Sequence, residues 1–228
     1  MSKYKLLDNS EVDAIKNLFT SDRGTWDDGK KSTGKLIANQ KSNNEFFFKN
    51  KEDYNNLWQI IKAKILSIDE LRQKYYIDDV LPIIISRMRE GDYYKLHVDN
   101  PFMYRKIGLK QNDLSFTISL SKKEDYQGGE LKIGDFDIKK KIKLDLGDIV
   151  IYNTGTEHEV LPVTNGERLV IVGWISSMIP EPNNRQLLNR IDELREIIYD
   201  NSFEQKDRAI TLIAMIRTYL EKKYINVN

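Results

Sequence analysis

Hydrophobic residues recur with two different periods along this chain, and the switches between them mark three stretches. In the first stretch the period is helical. Asn9 and Ser10 are candidate caps for a helix with Val12, Ile15, Leu18 and Phe19 on one face. Further on, Tyr54, Leu57, Trp58, Ile61 and Ile65 recur at i, i+3, i+4, i+7 and i+11, the pattern of an amphipathic helix. Residues 1–79 are therefore read as supporting helices. The polar, glycine-containing stretch from Ser21 to Asn44 reads as a loop with Trp26 as an aromatic lid residue.

From about residue 80 the period becomes two. Alternation predicts strands over Leu81–Met88, Tyr93–Val98, Leu114–Leu120, Gly129–Ile133, Phe136–Leu144, Asp148–Asn153, Glu159–Thr164 and Arg168–Ile175. Turn signals such as Glu90-Gly91-Asp92, Gly134-Asp135, Leu146-Gly147-Asp148 and Asn165-Gly166 separate them. Short strands in such succession imply a β-sandwich or barrel with helices outside it, a mainly β, α+β chain. After Pro180 the helical period returns, with one stripe of Leu187, Leu188, Ile191, Leu194 and Ile198 and another of Ile210, Ile213, Ile216 and Leu220. The expected organisation is a domain over residues 1–179, with its β core from 80, and a C-terminal helical extension over 180–228.

Composition narrows the chemistry. Net charge is +1, so no long-range pull on nucleic acid or anionic membrane is expected, and neither is expected as a partner. The chain has no cysteine, which excludes disulfides, thiolate metal sites and thiol catalysis. The N-terminus lacks an apolar signal segment, and runs such as Val80–Ile85 are strand-sized, so a cytoplasmic protein is expected. Lys139, Lys140, Lys141 and Lys143 read as a solvated strand edge. There are only two histidines, His97 and His158, so any histidine chemistry uses one or both.

Strand period places His97 and Asp99 on one side of their segment and Val98 on the other. With His158 they supply two imidazoles and one carboxylate, the facial donor set of non-haem Fe(II) oxygenases, which leaves positions for a cosubstrate and O2. Arg168 follows ten positions after His158. Fe(II) with two neutral imidazoles and one carboxylate carries one positive charge. A dicarboxylate such as 2-oxoglutarate brings two negative charges, and one arginine restores neutrality with a fork that suits a carboxylate. If Asn165-Gly166 closes a hairpin, a two-residue turn pairs Val163 with Arg168 and a three-residue turn pairs Thr164 with it. Only the second register puts Arg168 on the His158 face, roughly 20 Å away at ~3.3 Å per residue.

The surrounding motifs are more specific. His97-Val98-Asp99-Asn100, Asp113-Leu114-Ser115, Asp125 to Leu131 with its Gly128-Gly129-Glu130, Gly147 to Tyr152, His158-Glu159-Val160 and Pro162 to Arg168 resemble PKHD-type hydroxylases, which are prolyl-4-hydroxylase-like Fe(II)/2-oxoglutarate dioxygenases. Trp174 to Met178, the Arg185-containing helix, and Trp26 to Gly29 with Thr33 and Gly34 extend the likeness over nearly the whole chain. The resemblance implies a double-stranded β-helix (jelly-roll) core, with Fe(II) on His97, Asp99 and His158 and the distal carboxylate of 2-oxoglutarate on Arg168. It also implies Tyr94 lining the cosubstrate pocket, O2 as oxidant, ascorbate as a further cofactor, and release of succinate and CO2. One position departs from the pattern: Met88 stands nine before His97, where the family usually has tyrosine, and a thioether cannot donate a hydrogen bond. Trp174 reads as a core residue. The substrate implied is a prolyl residue in a peptide or protein, with a free amino acid or small metabolite as the alternative. Phe102 to Asn112, with Tyr104, Arg105, Lys106 and Lys110, is the expected substrate loop. A non-catalytic jelly-roll binding module and a cupin-type metalloenzyme stand as competing readings, and a homo-oligomer packed through the C-terminal helices is open.

Overall fold

A computed structural model describes residues 1–32, 38–105, 108–134 and 139–225. Thr33, Gly34, Lys106 and Asp135 to Ile138, which carried parts of the sequence reading, lie outside the described residues. In chain order the elements are β1 (Ser2–Lys5), α1 (Asn9–Lys16), β2 (Gly24–Asp28), β3 (Lys41–Ser42), β4 (Asn44–Phe48), α2 (Lys51–Ser67), α3 (Asp69–Tyr75), β5 (Ile77–Met88) and β6 (Tyr93–His97). These are followed by β7 (Phe102–Arg105), β8 (Gly108–Gln111), β9 (Leu114–Ser119), β10 (Tyr126–Gly128), β11 (Leu131–Ile133) and β12 (Lys140–Ile142). The last are β13 (Asp148–Asn153), β14 (His158–Val160), β15 (Val163–Gly166), β16 (Arg168–Ser177), α4 (Pro182–Asp200) and α5 (Lys206–Tyr224).

Among the described residues the strands form a major sheet, β1-β13-β9-β16-β5-β4-β2, and a minor sheet, β12-β11-β14-β6-β3, with two short ribbons, β10-β15 and β7-β8. This is a jelly-roll core with helices on its outside. Alternation within single strands explains the layering. Along β5, Ile83 and Ile85 join Leu57, Ile61, Ile65 and Leu71 of α2 and α3 in the larger apolar cluster. Their neighbours Pro82, Ile84, Ser86 and Met88 turn the other way and line a cavity between the sheets. Along β13, Ile149 and Ile151 belong to the helix-side cluster, and Val150 and Tyr152 to the inner one. Tyr54 and Trp58 tie α2 to β5, through Tyr54 Oη to the Ile83 carbonyl and Trp58 Nε1 to the Val80 carbonyl.

The N-terminal stretch is not all helix. β1 pairs with β13, in register from Ser2 with Ile151 to Lys5 with Asp148, and β2 and β4 extend the major sheet. Their partners lie far away or in one another, so a local period could not identify them. Trp26 is not a lid residue. It lies on edge strand β2, packs against Phe19 and Phe46 with ring centres 6.0 and 5.2 Å apart, and carries the Arg87 guanidinium 4.0 Å from its ring centre. The cap of α1 is Asp8, in a capping box with Glu11, rather than Asn9 or Ser10. The expected strand Glu159–Thr164 is two strands, broken at Leu161-Pro162, where proline has no N–H for the ladder.

Asn165-Gly166 does not close a hairpin onto Arg168, so both expected registers fail. β15 pairs with β10 (Tyr126 with Gly166, Gln127 with Asn165), and the chain then crosses at Glu167 into the major sheet, where β16 lies between β5 and β9. Helix α4 is anchored by buried Arg185, which donates to the carbonyls of Ile179 and Pro180 and to Asn153 Oδ1 (2.8 Å). Arg217 of α5 bridges to Asp192 of α4 at 2.6 Å. Among the described residues no helix is long and apolar enough to cross a membrane.

Candidate metal and cosubstrate site

Two neighbouring strands of the minor sheet bring the histidines together. His97 ends β6, His158 opens β14, and the two are direct register partners. Asp99 lies just beyond the end of β6, and its Oδ1 faces His97 Nε2 at 3.9 Å and His158 Nε2 at 3.7 Å. Those separations are too long for hydrogen bonds, so the three atoms face a shared gap, with one donor atom of each residue within 4.8 Å of the others. The rest of each side chain is held elsewhere. His97 Nδ1 contacts the Lys95 carbonyl at 2.7 Å and His158 Nδ1 the Thr156 carbonyl at 3.0 Å. A carbonyl only accepts, so each Nδ1 carries the hydrogen and each Nε2 offers its lone pair. Ser115 Oγ donates to Asp99 Oδ2 at 2.6 Å, leaving Oδ1 free. Burial, then the neighbouring His158, pushes the His97 pKa down to about 4, which keeps the ring neutral near pH 7. Two neutral imidazole nitrogens and one carboxylate oxygen, each oriented from behind, suit a divalent first-row metal with open positions.

Arg168 faces this group from the opposite sheet. It opens β16, pairs with Met88 of β5 and is 5 % exposed. Its Nη1 lies 4.0 Å from Met88 Sδ. Among the described residues no carboxylate stands within ion-pair distance of it. Instead Tyr126 and Tyr152 stand near it. Burial lowers the Arg168 pKa, an effect that Tyr126 and Tyr152 oppose. Burial also raises both tyrosines, Tyr152 strongly; Arg168 opposes both rises, and Asp99 adds to that of Tyr152. Gly129, with φ +64°, makes room for the arginine stem, since a Cβ there would lie 3.1 Å from Arg168 Cδ.

The triad, Arg168, Met88, Tyr94 and Tyr152 all line one cavity of about 710 Å3. Its deep end is Arg168 and Met88, both buried. Val170 with Ser86 and Val172 with Ile84 follow in register, and half-buried Trp174 and Pro82 stand toward the mouth, where Val98 and Phe102 are exposed. Trp174, expected in the core, is thus on the cavity wall. Phe102 and Met103 of the β7–β8 hairpin also line the mouth, so part of the expected substrate loop adjoins the cavity. Lys110 instead pairs with Asp78 at 3.5 Å. Tyr94 stacks on the His97 ring, with centres 3.6 Å apart and planes 15° apart. Sequence reasoning missed Tyr126, and missed Tyr152 as a neighbour of Arg168, although alternation along Asp148–Asn153 places Tyr152 beside Val150 on the inner face. It also missed the Lys41–Glu45 ion pair, which carries no motif.

Residues 83–176 match the model of the 2OG-Fe(II) oxygenase superfamily. A PKHD-type hydroxylase of Prochlorococcus marinus strain MIT 9515 is 36 % identical over 189 residues, 83 % of each chain. A PKHD-type hydroxylase of Idiomarina loihiensis is 32 % identical over 197 residues, 83 % of this chain and 84 % of its own. In fold, the chain is similar to a Pseudomonas putida prolyl-4-hydroxylase, with TM-score 0.53 and 16 % identity over 77 % of this chain and 91 % of that one. It is also similar to a Trichoplax adhaerens prolyl hydroxylase in complex with a hypoxia inducible factor peptide fragment, with TM-score 0.54 and 16 % identity over 82 % and 86 %.

Proposed function

Because the chain belongs to the PKHD-type hydroxylases of the 2OG-Fe(II) oxygenase superfamily, and so is an Fe(II)/2-oxoglutarate-dependent dioxygenase, we propose that His97, Asp99 and His158 hold its iron, that Arg168 receives the distal carboxylate of 2-oxoglutarate, and that it hydroxylates a prolyl residue of a peptide or protein. The observation that carries the site assignment is the convergence of the three donor atoms in the same cavity as a buried arginine that has no acidic partner among the described residues.

Each residue has a definite task. Ser115 and the Lys95 and Thr156 carbonyls aim the donor atoms. Arg168 gives the dicarboxylate a bidentate partner, and the Tyr126 and Tyr152 hydroxyls add hydrogen bonds at the same end. The apolar walls, Val170, Val172 and Leu131 among them, exclude water from the space between. When bound, Fe(II) with 2-oxoglutarate and O2 supplies the oxidising power for C–H hydroxylation, and 2-oxoglutarate leaves as succinate and CO2. At the mouth, Pro82, Val98, Phe102, Met103 and Trp174 offer apolar contacts that suit a pyrrolidine ring.

The test has two stages. Anaerobic addition of Fe(II) and 2-oxoglutarate should produce a weak visible charge-transfer band that His97→Ala and Arg168→Ala abolish, and a band unchanged in both variants would overturn the site assignment. A screen of proline-containing peptides and free amino acids then reads succinate release and a +16 Da product. A product from free proline alone would replace the peptide reading.

A further inference from the structure

Beside the triad, the cavity wall carries a buried ion pair that neither metal binding nor cosubstrate binding uses. Lys41 and Glu45 side chains are 7 % and 3 % exposed and pair with each other. Ser32 Oγ donates to Glu45 Oε1 at 2.9 Å, and Lys41 Nζ reaches Ser32 Oγ at 3.3 Å. The segment bearing them spans the two sheets, with Lys41 in register with Tyr94 of the minor sheet and Glu45 with Ser86 of the major one. Asn43 between them donates to Ser86 Oγ at 2.8 Å. Taking two charges out of water is costly, so a buried pair is weak support for a fold and calls for another reason.

That reason lies in what Lys41 touches. Its Nζ stands 5.3 Å from the centre of the Tyr94 ring, within cation–π range. Glu45 keeps the ammonium there, where a lysine would otherwise extend its head to water. Tyr94 in turn lies flat on His97. His97 needs such a support. It ends its strand between exposed Leu96 and Val98, and its ring hydrogen bond, Nδ1 to the Lys95 carbonyl, fixes a point of the ring but not its plane. His158 has the Tyr152 ring edge-on at 5.1 Å and 61° instead.

We propose that Glu45, Lys41 and Tyr94 are positioning residues that hold the His97 imidazole in its metal-binding plane, acting through the Tyr94 ring and not its hydroxyl. The proposal rests on His97 being a metal ligand. The test uses the full chain and Co(II) alone, without cosubstrate, reading the dissociation constant and the visible ligand-field spectrum, with thermal melting of the metal-free protein as the check on folding. Tyr94→Phe should bind within about two-fold of wild type. Tyr94→Leu and Lys41→Met should weaken binding by about 10–100-fold, the usual effect of losing a ligand's supporting contact, and alter the spectrum. Lys41→Arg should recover most of the loss. Because Lys41→Met leaves Glu45 buried alone and can unfold the chain, the double variant Lys41→Met/Glu45→Met, which removes both charges, should show the same weakening. Wild-type affinity and spectrum in folded Tyr94→Leu and in the double variant would overturn the proposal. So would an equal loss in Tyr94→Phe, which would assign the effect to the hydroxyl. His97→Ala separates the two levels: if it binds Co(II) like wild type, the ligand assignment itself fails, whereas loss in His97→Ala with none in Tyr94→Leu removes only the positioning role.

Discussion

Replacing Arg168 with methionine should move stability and cosubstrate binding in opposite directions. In the protein without cosubstrate the guanidinium is 5 % exposed and has neutral tyrosine hydroxyls and a thioether around it, with no carboxylate partner among the described residues. A buried charge in that situation is a net cost to the fold. Arg168→Met removes it in favour of an apolar side chain next to Met88, so the unliganded protein should gain about 1 kcal/mol, or ~2–4 °C in melting temperature for a chain of this size. Bound 2-oxoglutarate would turn the same guanidinium into half of a buried charge pair. Loss of one partner costs ~3–5 kcal/mol, a weakening of roughly 10²–10³-fold or more. Scanning calorimetry of the unliganded protein reads the first number. Titration of 2-oxoglutarate into Co(II)-loaded protein reads the second, and the Co(II) affinity itself should not change. A melting temperature lowered by more than about 4 °C, with 2-oxoglutarate affinity altered less than ten-fold, would show that Arg168 serves the fold rather than the cosubstrate.

Three further changes probe the same cavity. Ser115→Ala frees Asp99 Oδ2 and should weaken Co(II) binding by about 10–100-fold at little cost in melting temperature; unchanged affinity would mean that the backbone alone orients the carboxylate. Met88→Tyr should lower stability by about 1–3 kcal/mol, since Met88 is 2 % exposed and the ring overfills its site. It should not tighten 2-oxoglutarate binding, because Tyr126 and Tyr152 already stand by Arg168; a several-fold gain would contradict this. The metal-free protein should lose stability as pH falls from about 6.5 toward about 4, because the unfolded chain protonates His97 over that window and the folded chain does not. The loss should amount to roughly 2–3 kcal/mol in urea melts and be absent in His97→Asn.

Pattern and motif in the sequence were sufficient for many of the elements and for the set of candidate donors. Period-two alternation over Asp148–Asn153 and Arg168–Ile175, and helical spacing over Tyr54–Ile65, depend only on neighbours in the chain, and these elements are where the spacing predicts them. Scarcity did as much: with two histidines and no cysteine, a His-x-Asp pair and one distant histidine left few choices of metal ligand. The strand pairing, however, was decided only in three dimensions. Nothing local to Asn165-Gly166 says that β15 will pair with β10 while Arg168 enters the other sheet, because both pairings satisfy the turn and differ only in what each strand buries. That crossing sets Arg168 across the cavity from His158 instead of farther along the same sheet. The same holds for β1, β2 and β4, whose partners stand up to about 150 positions away, and for the Lys41–Glu45 pair. Two charged residues four apart read as solvated until the sheets close over them, and only that closure makes an ion pair part of the cavity wall.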